Sequence, residues 1–288
     1  IGIGTELPTT ISLNSLNTIT NEQWVELREL AEKQGVSAIV LDGLNEISIR
    51  FKLQEICPQL NHERWKVFLL EWMSTQLMVE KANQHQIDTM NDLAKRWSKV
   101  GCKVMVMKGQ ANGLFYPNPW HRTPGDIDCY LFSNYDKGNA LAREIGAIVD
   151  ESWYKHSVIR YHGETFENHK YFVSTRNGKS EKVLENELEK ELNVDDSFFT
   201  HFNDSVLFPP VQWVAMFLTY HDCAHFITEG LRLKQLLDWA MFLNKHEDSI
   251  DWQKLYGFCE RHHLNKFIDA ATAIAVISRS EERVSRNA

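Results

Sequence analysis

The spacing of hydrophobic residues predicts helices at both ends of the chain and a mixed helix–strand region between them. Before residue 100 and after residue 210, hydrophobic residues recur at helical spacing, which indicates helices packed on one face. Between these regions, short hydrophobic runs are separated by turn residues, which favours strands. We therefore predict an α+β fold. A small mixed sheet with helices (101–195) is flanked by N-terminal helices (1–100) and a C-terminal helical bundle (196–288).

The N-terminal region predicts helices after a polar lead-in over residues 1–20. Asn21 is a favourable helix cap, and Gly35 ends the first helix. A connection then leads to a second helix over 47–56. From residue 61 to residue 101 a wide hydrophobic stripe runs without a proline, which predicts one long helix or two in line.

The residue pattern in the centre of the chain predicts a strand, a turn, a short helix, a loop and a second strand. Residues 104–107 form a hydrophobic run that suits a buried strand. Lys108-Gly109 closes it, because glycine can turn the chain where a side chain would clash. A short helix over 110–115 stops at Tyr-Pro-Asn-Pro, where proline removes a hydrogen-bond donor. The second strand is expected over 126–132.

The remainder of the chain predicts a hairpin and further helices. After a helix over 136–149, strands over 153–161 and 165–174 meet at a glycine turn and extend the sheet. A charged surface helix is expected over 181–192. The C-terminal bundle is expected to contain helices over 211–226, 231–242 and 252–276.

Two acidic residues in the second central strand are the first candidates for chemistry. Successive strand side chains alternate between faces, so Asp126 and Asp128 are expected to share one face. Two carboxylates on a strand, opposite the glycine turn at Gly109, can hold divalent cations beside a phosphate. Like charges this close repel each other unless a cation lies between them.

The order of these residues resembles the nucleotidyltransferase superfamily of the DNA polymerase β type. More narrowly, it resembles the uncharacterised nucleotidyltransferase family of bacterial genomes. The resemblance rests on a Lys-Gly turn, a Tyr-Pro pair, an arginine, and Gly-Asp-Ile-Asp followed by a hydrophobic strand. A histidine-rich helix that leads into Gly-x-x-Leu-Arg and Leu-Asp also fits, so the resemblance covers roughly residues 60–245.

The resemblance implies a Mg²⁺-dependent enzyme that moves a nucleoside monophosphate from an NTP to a hydroxyl group. The acceptor is expected to be a small molecule or a protein. The implied catalytic residues and ligands of two Mg²⁺ ions are Asp126, Asp128 and Glu167, with Glu164 as the alternative third carboxylate. The nucleotide is expected to contact Lys108, Gly109, Gln110, Arg122, Gly125 and His221.

Composition narrows the class of partner. The net charge of −8 argues against general nucleic-acid binding, because neutralising phosphates needs a basic surface. No hydrophobic run approaches the length of a membrane span, and we expect no signal peptide because the first residues lack a charged start and a long hydrophobic segment. The five cysteines are scattered without paired spacing, which favours reduced thiols and a cytoplasmic location.

Two other hypotheses stay open at the level of sequence. The superfamily turn usually carries Gly-Ser or Gly-Gly, whereas Gln110 follows the glycine here, so the fold could bind nucleotide without turnover. The pair His221-Asp222 also resembles that of His-Asp metal-dependent phosphohydrolases, with His201 and Asp238 available as further ligands. His221 lies one helical turn before another histidine, and such pairs more often serve packing or hydrogen bonding.

Overall fold

A computed structural model describes residues 16, 18–51, 62–174, 178–193 and 195–285. Within these residues the chain forms ten α-helices and a seven-stranded mixed sheet. The predicted α+β class, with helices before and after a mixed sheet, is confirmed. None of the described helices is long and hydrophobic enough to span a membrane.

The N-terminal helices are α1 (Asn21–Lys33), α2 (Ser37–Phe51) and α3 (His62–Lys99). Helix α1 begins with a reciprocal capping box, in which the Thr20 hydroxyl and the Gln23 side chain each accept a hydrogen bond from the other residue's backbone N–H. The second helix begins ten residues before its predicted start at residue 47, and the predicted portion over 52–56 lies outside the described residues. The predicted lead-in also falls mostly outside them, whereas the long stripe forms one helix.

The sheet is built from seven strands in the order β3-β4-β5-β2-β1-β7-β6. Strands β2 and β5 pair in parallel, as do β1 and β7, and the other neighbours pair antiparallel. The strands are β1 (Met105–Val106), β2 (Ile127–Tyr130), β3 (Ile148–Asp150), β4 (His156–Tyr161), β5 (Glu164–His169), β6 (Thr200–Asn203) and β7 (Val206–Phe208).

Two of the predictions made from the sequence for this region were wrong. The helix predicted over 136–149 ends at Glu144, and the chain then forms edge strand β3. Gly146, with φ of 89°, stops the helix, because L-residues with a side chain rarely adopt this conformation. Strands β6 and β7 were missed, although they lie in the segment expected to be purely helical.

The remaining helices pack around the sheet in two buried hydrophobic clusters. The larger cluster joins the N-terminal helices to the C-terminal bundle, and the smaller one lies between α3 and the sheet. Both ends of the chain therefore share one core, which brings the N-terminal helices close to the site. The helices not yet named are α4 (Gln110–Gly113), α5 (Tyr135–Glu144), α6 (Lys179–Leu192), α7 (Val211–Thr228), α8 (Leu233–His246), α9 (Trp252–Arg261) and α10 (Asn265–Ser285).

Candidate active site

Parallel strands β2 and β5 bring the predicted carboxylates together. Asp128 lies opposite Glu167 in the strand register, so their side chains project from the same face of the sheet. Asp126 directly precedes β2 and is exposed, whereas Asp128 is buried. Burial and the neighbouring Glu167 and Asp128 raise the pKa of Asp126. The three carboxylates therefore form one electrostatic cluster that favours a bound cation.

A glycine turn lies directly against the acidic strand. Gly109 has φ of 72°, and a Cβ built there would lie 3.3 Å from the carbonyl oxygen of Asp126. Because the left-handed conformation and this close approach both favour glycine, the turn can bring its backbone N–H groups near the carboxylates. Helix α4 follows immediately, as predicted, but ends two residues before the predicted end at residue 115.

Lys108 connects the acidic cluster to helix α7. Its Nζ lies 3.2 Å from Asp128 Oδ2 and donates a hydrogen bond to His221 Nε2 at 2.9 Å. Burial raises the pKa of Asp128, but the charge of Lys108 and the contact with His169 lower it more, so the pKa lies below its usual range. Burial and the charge of Lys108 hold the pKa of His221 well below its ordinary value. His221 is therefore neutral and positions Lys108 beside the carboxylate.

Asp126 and Asp128 open into a cleft of about 500 Å³ between the sheet and helices α1, α7 and α8, whereas Glu167 is not among its lining residues. The expected residues that line this cleft are Lys108, Gly109, Arg122, Gly125, Asp126, Asp128 and His221. The sequence did not assign the cationic residues on its other walls, which are Lys33, Arg232 and Lys234. Burial lowers the pKa of Lys234 to about 8, and the nearby charge of Arg122 makes the second-largest contribution to this shift. Its Nζ donates a hydrogen bond to the carbonyl oxygen of Thr123 at 3.4 Å.

Arg122 has a different environment from the one expected. Its Nε and Nη2 donate to the two oxygens of Asp238, at 2.8 and 2.7 Å, and both side chains are buried. Tyr116 Oη and Asn112 Nδ2 donate to the same carboxylate, at 2.7 and 3.1 Å. The guanidinium is therefore held in a structural ion pair at the edge of the cleft, and its expected role as a phosphate clamp is not supported by this geometry. Asp238, which the phosphohydrolase hypothesis offered as a metal ligand, is thus occupied by this ion pair.

Gln110 and Glu164 also belong to a structural network. Gln110 Nε2 donates to Asn83 and Gln86 of helix α3, at 2.9 and 2.8 Å. Gln86 in turn donates to the Gly125 carbonyl oxygen at 2.6 Å and to Glu164 at 3.1 Å. These amides fix the glycine turn and the loop before β2 to the long helix. The geometry does not support the expected contact of Gln110 with nucleotide, and it favours Glu167 over Glu164 as the third carboxylate.

Two histidines beside the carboxylates were not identified from the sequence. His169 lies two residues after Glu167 on β5, and His156 lies opposite His169 on β4. His169 Nε2 is 3.1 Å from Asp128 Oδ1 and 3.4 Å from Glu167 Oε2, and His156 Nδ1 is 3.6 Å from the same Glu167 oxygen. Two sequence signals could have located these histidines. One is the period-two spacing of Glu167 and His169, and the other is the hairpin around Gly163.

The buried donor atoms of this cluster fit a bound cation. His156 Nδ1 is buried without a hydrogen-bond partner, whereas Asp128 Oδ2 contacts Lys108 Nζ at 3.2 Å. Among the described residues, His156, Glu167 and His169 are the group of three possible ligands whose donor atoms all lie within 4.8 Å of one another. Unpaired buried lone pairs are costly unless a cation or a donor meets them. Asp126, Asp128 and Glu167 could supply oxygen ligands to Mg²⁺.

The geometry gives no support to a phosphohydrolase site. His221 and His225 contact each other through their Nε2 atoms at 3.0 Å, and Asp238 is paired with Arg122. His201 lies on edge strand β6, which β7 and β1 separate from β2. The four candidates of that hypothesis therefore do not form a shared metal site in the described part of the chain.

A sheet that carries an Asp-x-Asp strand beside a glycine turn is the arrangement expected from the sequence for a nucleotidyltransferase, a class of transferase enzymes. The family model described as uncharacterised nucleotidyltransferase matches residues 20–277, and the chain belongs to this family. The resemblance drawn from the sequence, and the prediction of an enzyme, are confirmed. A comparison with curated proteins finds no match.

Two solved structures are similar to this fold. One is a crystal structure of ANT(2'')-Ia in complex with adenylyl-2''-tobramycin, with 9% identity and a TM-score of 0.43, covering 64% of this chain and 98% of that chain. The other is a solution structure of the antibiotic-resistance factor ANT(2'')-Ia, with 9% identity and a TM-score of 0.41, covering 68% of this chain and 97% of that chain. A similarity this distant does not assign a substrate.

Proposed function

We propose that this enzyme transfers a nucleoside monophosphate from an NTP to a hydroxyl group of a small-molecule or protein acceptor. The observation that carries the proposal is the convergence of Asp126, Asp128 and Glu167 from two neighbouring strands, beside the glycine turn at Gly109. A fold that held these acids for structure alone would pair them with cations, yet Asp126 remains exposed in the cleft.

The cleft has the charge and size for a nucleotide and part of an acceptor. A volume of about 500 Å³ lies within the range of ligand sites in proteins. Lys33, Lys108, Arg232 and Lys234 face it from different elements. We assign the neutralisation of the triphosphate to Lys108 and Lys234, because Arg122 is already paired with Asp238. The backbone N–H groups that follow Gly109 would bind phosphate oxygens.

The reaction is a displacement at the α-phosphorus of the NTP. The acceptor oxygen forms a bond to this phosphorus while the bond to the bridging oxygen of the β-phosphate breaks. Pyrophosphate leaves with that oxygen, and the acceptor's proton passes to Glu167 or to solvent. Asp126, Asp128 and Glu167 would hold two Mg²⁺ ions, which when bound lower the acceptor's pKa and neutralise the leaving group. Lys108 and Lys234 add fixed positive charge where the pyrophosphate departs.

The cationic residues at this site are few, and the whole chain is acidic. The net charge of −8 argues against a nucleic-acid acceptor, because neutralising its phosphates needs many cationic side chains. We therefore propose a small molecule or a protein side chain as acceptor and carry out the test with both.

The test incubates the protein with each α-³²P-labelled NTP, Mg²⁺, and a panel of hydroxyl compounds and hydroxyl-bearing peptides. We expect pyrophosphate and a nucleotidylated product, with both lost in Asp128→Asn. The matched control is Asp150→Asn, which alters an exposed carboxylate on edge strand β3. Magnesium-dependent NTP binding that Asp128→Asn removes, without any cleavage of NTP, would favour the hypothesis of an inactive nucleotide-binding protein. Cleavage to NDP and phosphate would contradict both.

A further inference from the structure

The face of the sheet that carries the carboxylates also presents two histidines to them. Asp128 on β2 lies opposite Glu167 on β5, Glu167 and His169 share a face by strand alternation, and His169 lies opposite His156 on β4. The donor atoms of His156, Glu167 and His169 therefore lie within 4.8 Å of one another, and Asp128 contacts His169. This set shares Glu167 with the oxygen-only set of Asp126, Asp128 and Glu167 but adds two imidazole nitrogens.

The hydrogen bonding of His169 fixes which of its nitrogens faces the carboxylates as a ligand. His169 Nδ1 lies 3.1 Å from the carbonyl oxygen of Tyr171. A carbonyl oxygen only accepts hydrogen bonds, so Nδ1 carries a proton and donates it. A neutral His169 then directs the lone pair of Nε2 at Asp128 Oδ1 and Glu167 Oε2, which also carry only lone pairs. This contact requires a positive charge between them, either a second proton or a metal ion.

The spacing of the donor atoms fits a metal ion. Bonds of about 2.0–2.2 Å in a tetrahedral zinc site place neighbouring donor atoms about 3.3–3.5 Å apart. The observed separations are 3.1 Å (His169 Nε2 to Asp128 Oδ1), 3.4 Å (His169 Nε2 to Glu167 Oε2) and 3.6 Å (His156 Nδ1 to Glu167 Oε2). A histidine ligand that donates its other N–H to a backbone carbonyl is the usual arrangement around protein-bound metals.

The surroundings of His156 and Lys108 are also compatible with a bound metal ion. His156 Nδ1 is buried and has no hydrogen-bond partner. Lys108 contacts Oδ2 of Asp128, whereas the histidine contacts Oδ1, so an ion on the Oδ1 side would not displace the lysine. Imidazole nitrogen favours first-row transition metals, whereas Mg²⁺ prefers oxygen ligands.

We infer that His156, Glu167 and His169 form a transition-metal site beside Asp128, for which Zn²⁺ matches the donor types, next to the oxygen-only position at Asp126. Binding of the ion stands on the donor geometry alone. Its role at the reacting centre rests on the proposed function, because Glu167 belongs to both positions and lies opposite Asp128 in the strand register.

The test measures Zn²⁺ affinity without nucleotide, in competition with a chromophoric chelator and in the presence of millimolar Mg²⁺. We expect one tightly bound Zn²⁺ per chain, and at least ~10-fold weaker binding in His156→Ala, as for losses around metal sites generally. The matched control is His201→Ala, an exposed histidine on β6, which should bind as wild type does. His156 is the variant of choice because its buried nitrogen makes no hydrogen bond that the fold would lose. Circular dichroism checks its folding.

Separate readouts distinguish this inference from the proposed function. Asp126→Asn should retain Zn²⁺ binding and lose nucleotidyl transfer, because Asp126 is not in the histidine set. Wild-type protein that transfers nucleotide with Mg²⁺ but binds no Zn²⁺ would overturn the metal site and leave the function intact. Equal Zn²⁺ affinity in wild type and His156→Ala would overturn it too.

Discussion

The ion pair between Arg122 and Asp238 should be one of the larger single contributions to stability near the site. The exposed pair Arg261–Glu187 provides a matched comparison, because both pairs have the same two-bond geometry. Arg122 donates at 2.8 and 2.7 Å, and Arg261 donates at 3.1 and 2.8 Å. The side chains of the first pair are 7% and 6% exposed, whereas those of the second are 55% and 20% exposed. Burial is therefore the main difference between them.

Asp238→Asn keeps the shape of the side chain and removes its charge. It leaves a buried guanidinium unpaired, which costs about 3–5 kcal/mol, whereas Glu187→Gln breaks a solvent-screened pair and costs about 0–1 kcal/mol. The measurement is the free energy of unfolding in urea, followed by tryptophan fluorescence. Equal losses in the two variants would refute the argument, because they would show that burial does not set the strength of the Arg122 pair.

The ion pair with Asp238 also determines whether the Arg122 side chain can bind a nucleotide. If its guanidinium is structural, Arg122→Lys should lower stability by more than ~1 kcal/mol, because lysine cannot make the two-bond contact. The affinity of the remaining folded protein for Mg·NTP should then change less than tenfold. A large loss of NTP affinity with unchanged stability would return Arg122 to the phosphate-binding role first expected from the sequence.

Three further predictions concern the cleft. Burial, and to a smaller extent Asp238, raise the pKa of Asp222 from 3.8 to about 8, so the contribution of Asp222 to stability should fall as pH rises from 4 to 8. Asp222→Asn should therefore gain stability relative to wild type over this range, as measured by urea unfolding at each pH. Gly109→Ala should lower stability by about 1 kcal/mol and weaken NTP binding, because φ is 72° and the new Cβ would lie 3.3 Å from the Asp126 carbonyl oxygen. Calorimetric titration with a non-hydrolysable NTP measures the binding. In the same titration Lys234→Ala should weaken binding by about 1–3 kcal/mol, whereas Lys66→Ala, at an exposed position on α3, should not.

The sequence predicts local features of this protein well. The glycine turn, the Asp-x-Asp strand and the long helix each depend on residues that are close along the chain. Asp126 and Asp128 could be placed on one face because strand alternation is a local rule, whereas Glu167 was proposed from the family resemblance. Family membership then followed from the order of these elements.

Features that depend on distant residues could not be predicted in the same way. The partner of Arg122 lies 116 residues away, in a helix whose spacing indicated only packing. Strand β7 pairs with β1 across a hundred residues, and its short hydrophobic run resembled the start of the following helix. The cations Lys33 and Lys234 reach the cleft from opposite ends of the chain, because the two ends share one core.

The central claim is tested most directly by identifying which bond of an NTP this enzyme breaks. The measurement separates the ³²P-labelled products of α-labelled NTP by chromatography, with Mg²⁺ and the acceptor panel, for wild type, Asp126→Asn, Asp128→Asn and the control Asp150→Asn. We predict cleavage between the α- and β-phosphates, giving pyrophosphate and a nucleotidylated acceptor. The rate should be at least ~10³-fold lower in the two site variants and unchanged in the control. Equal rates in wild type and both site variants, or NDP as the product, would contradict the account.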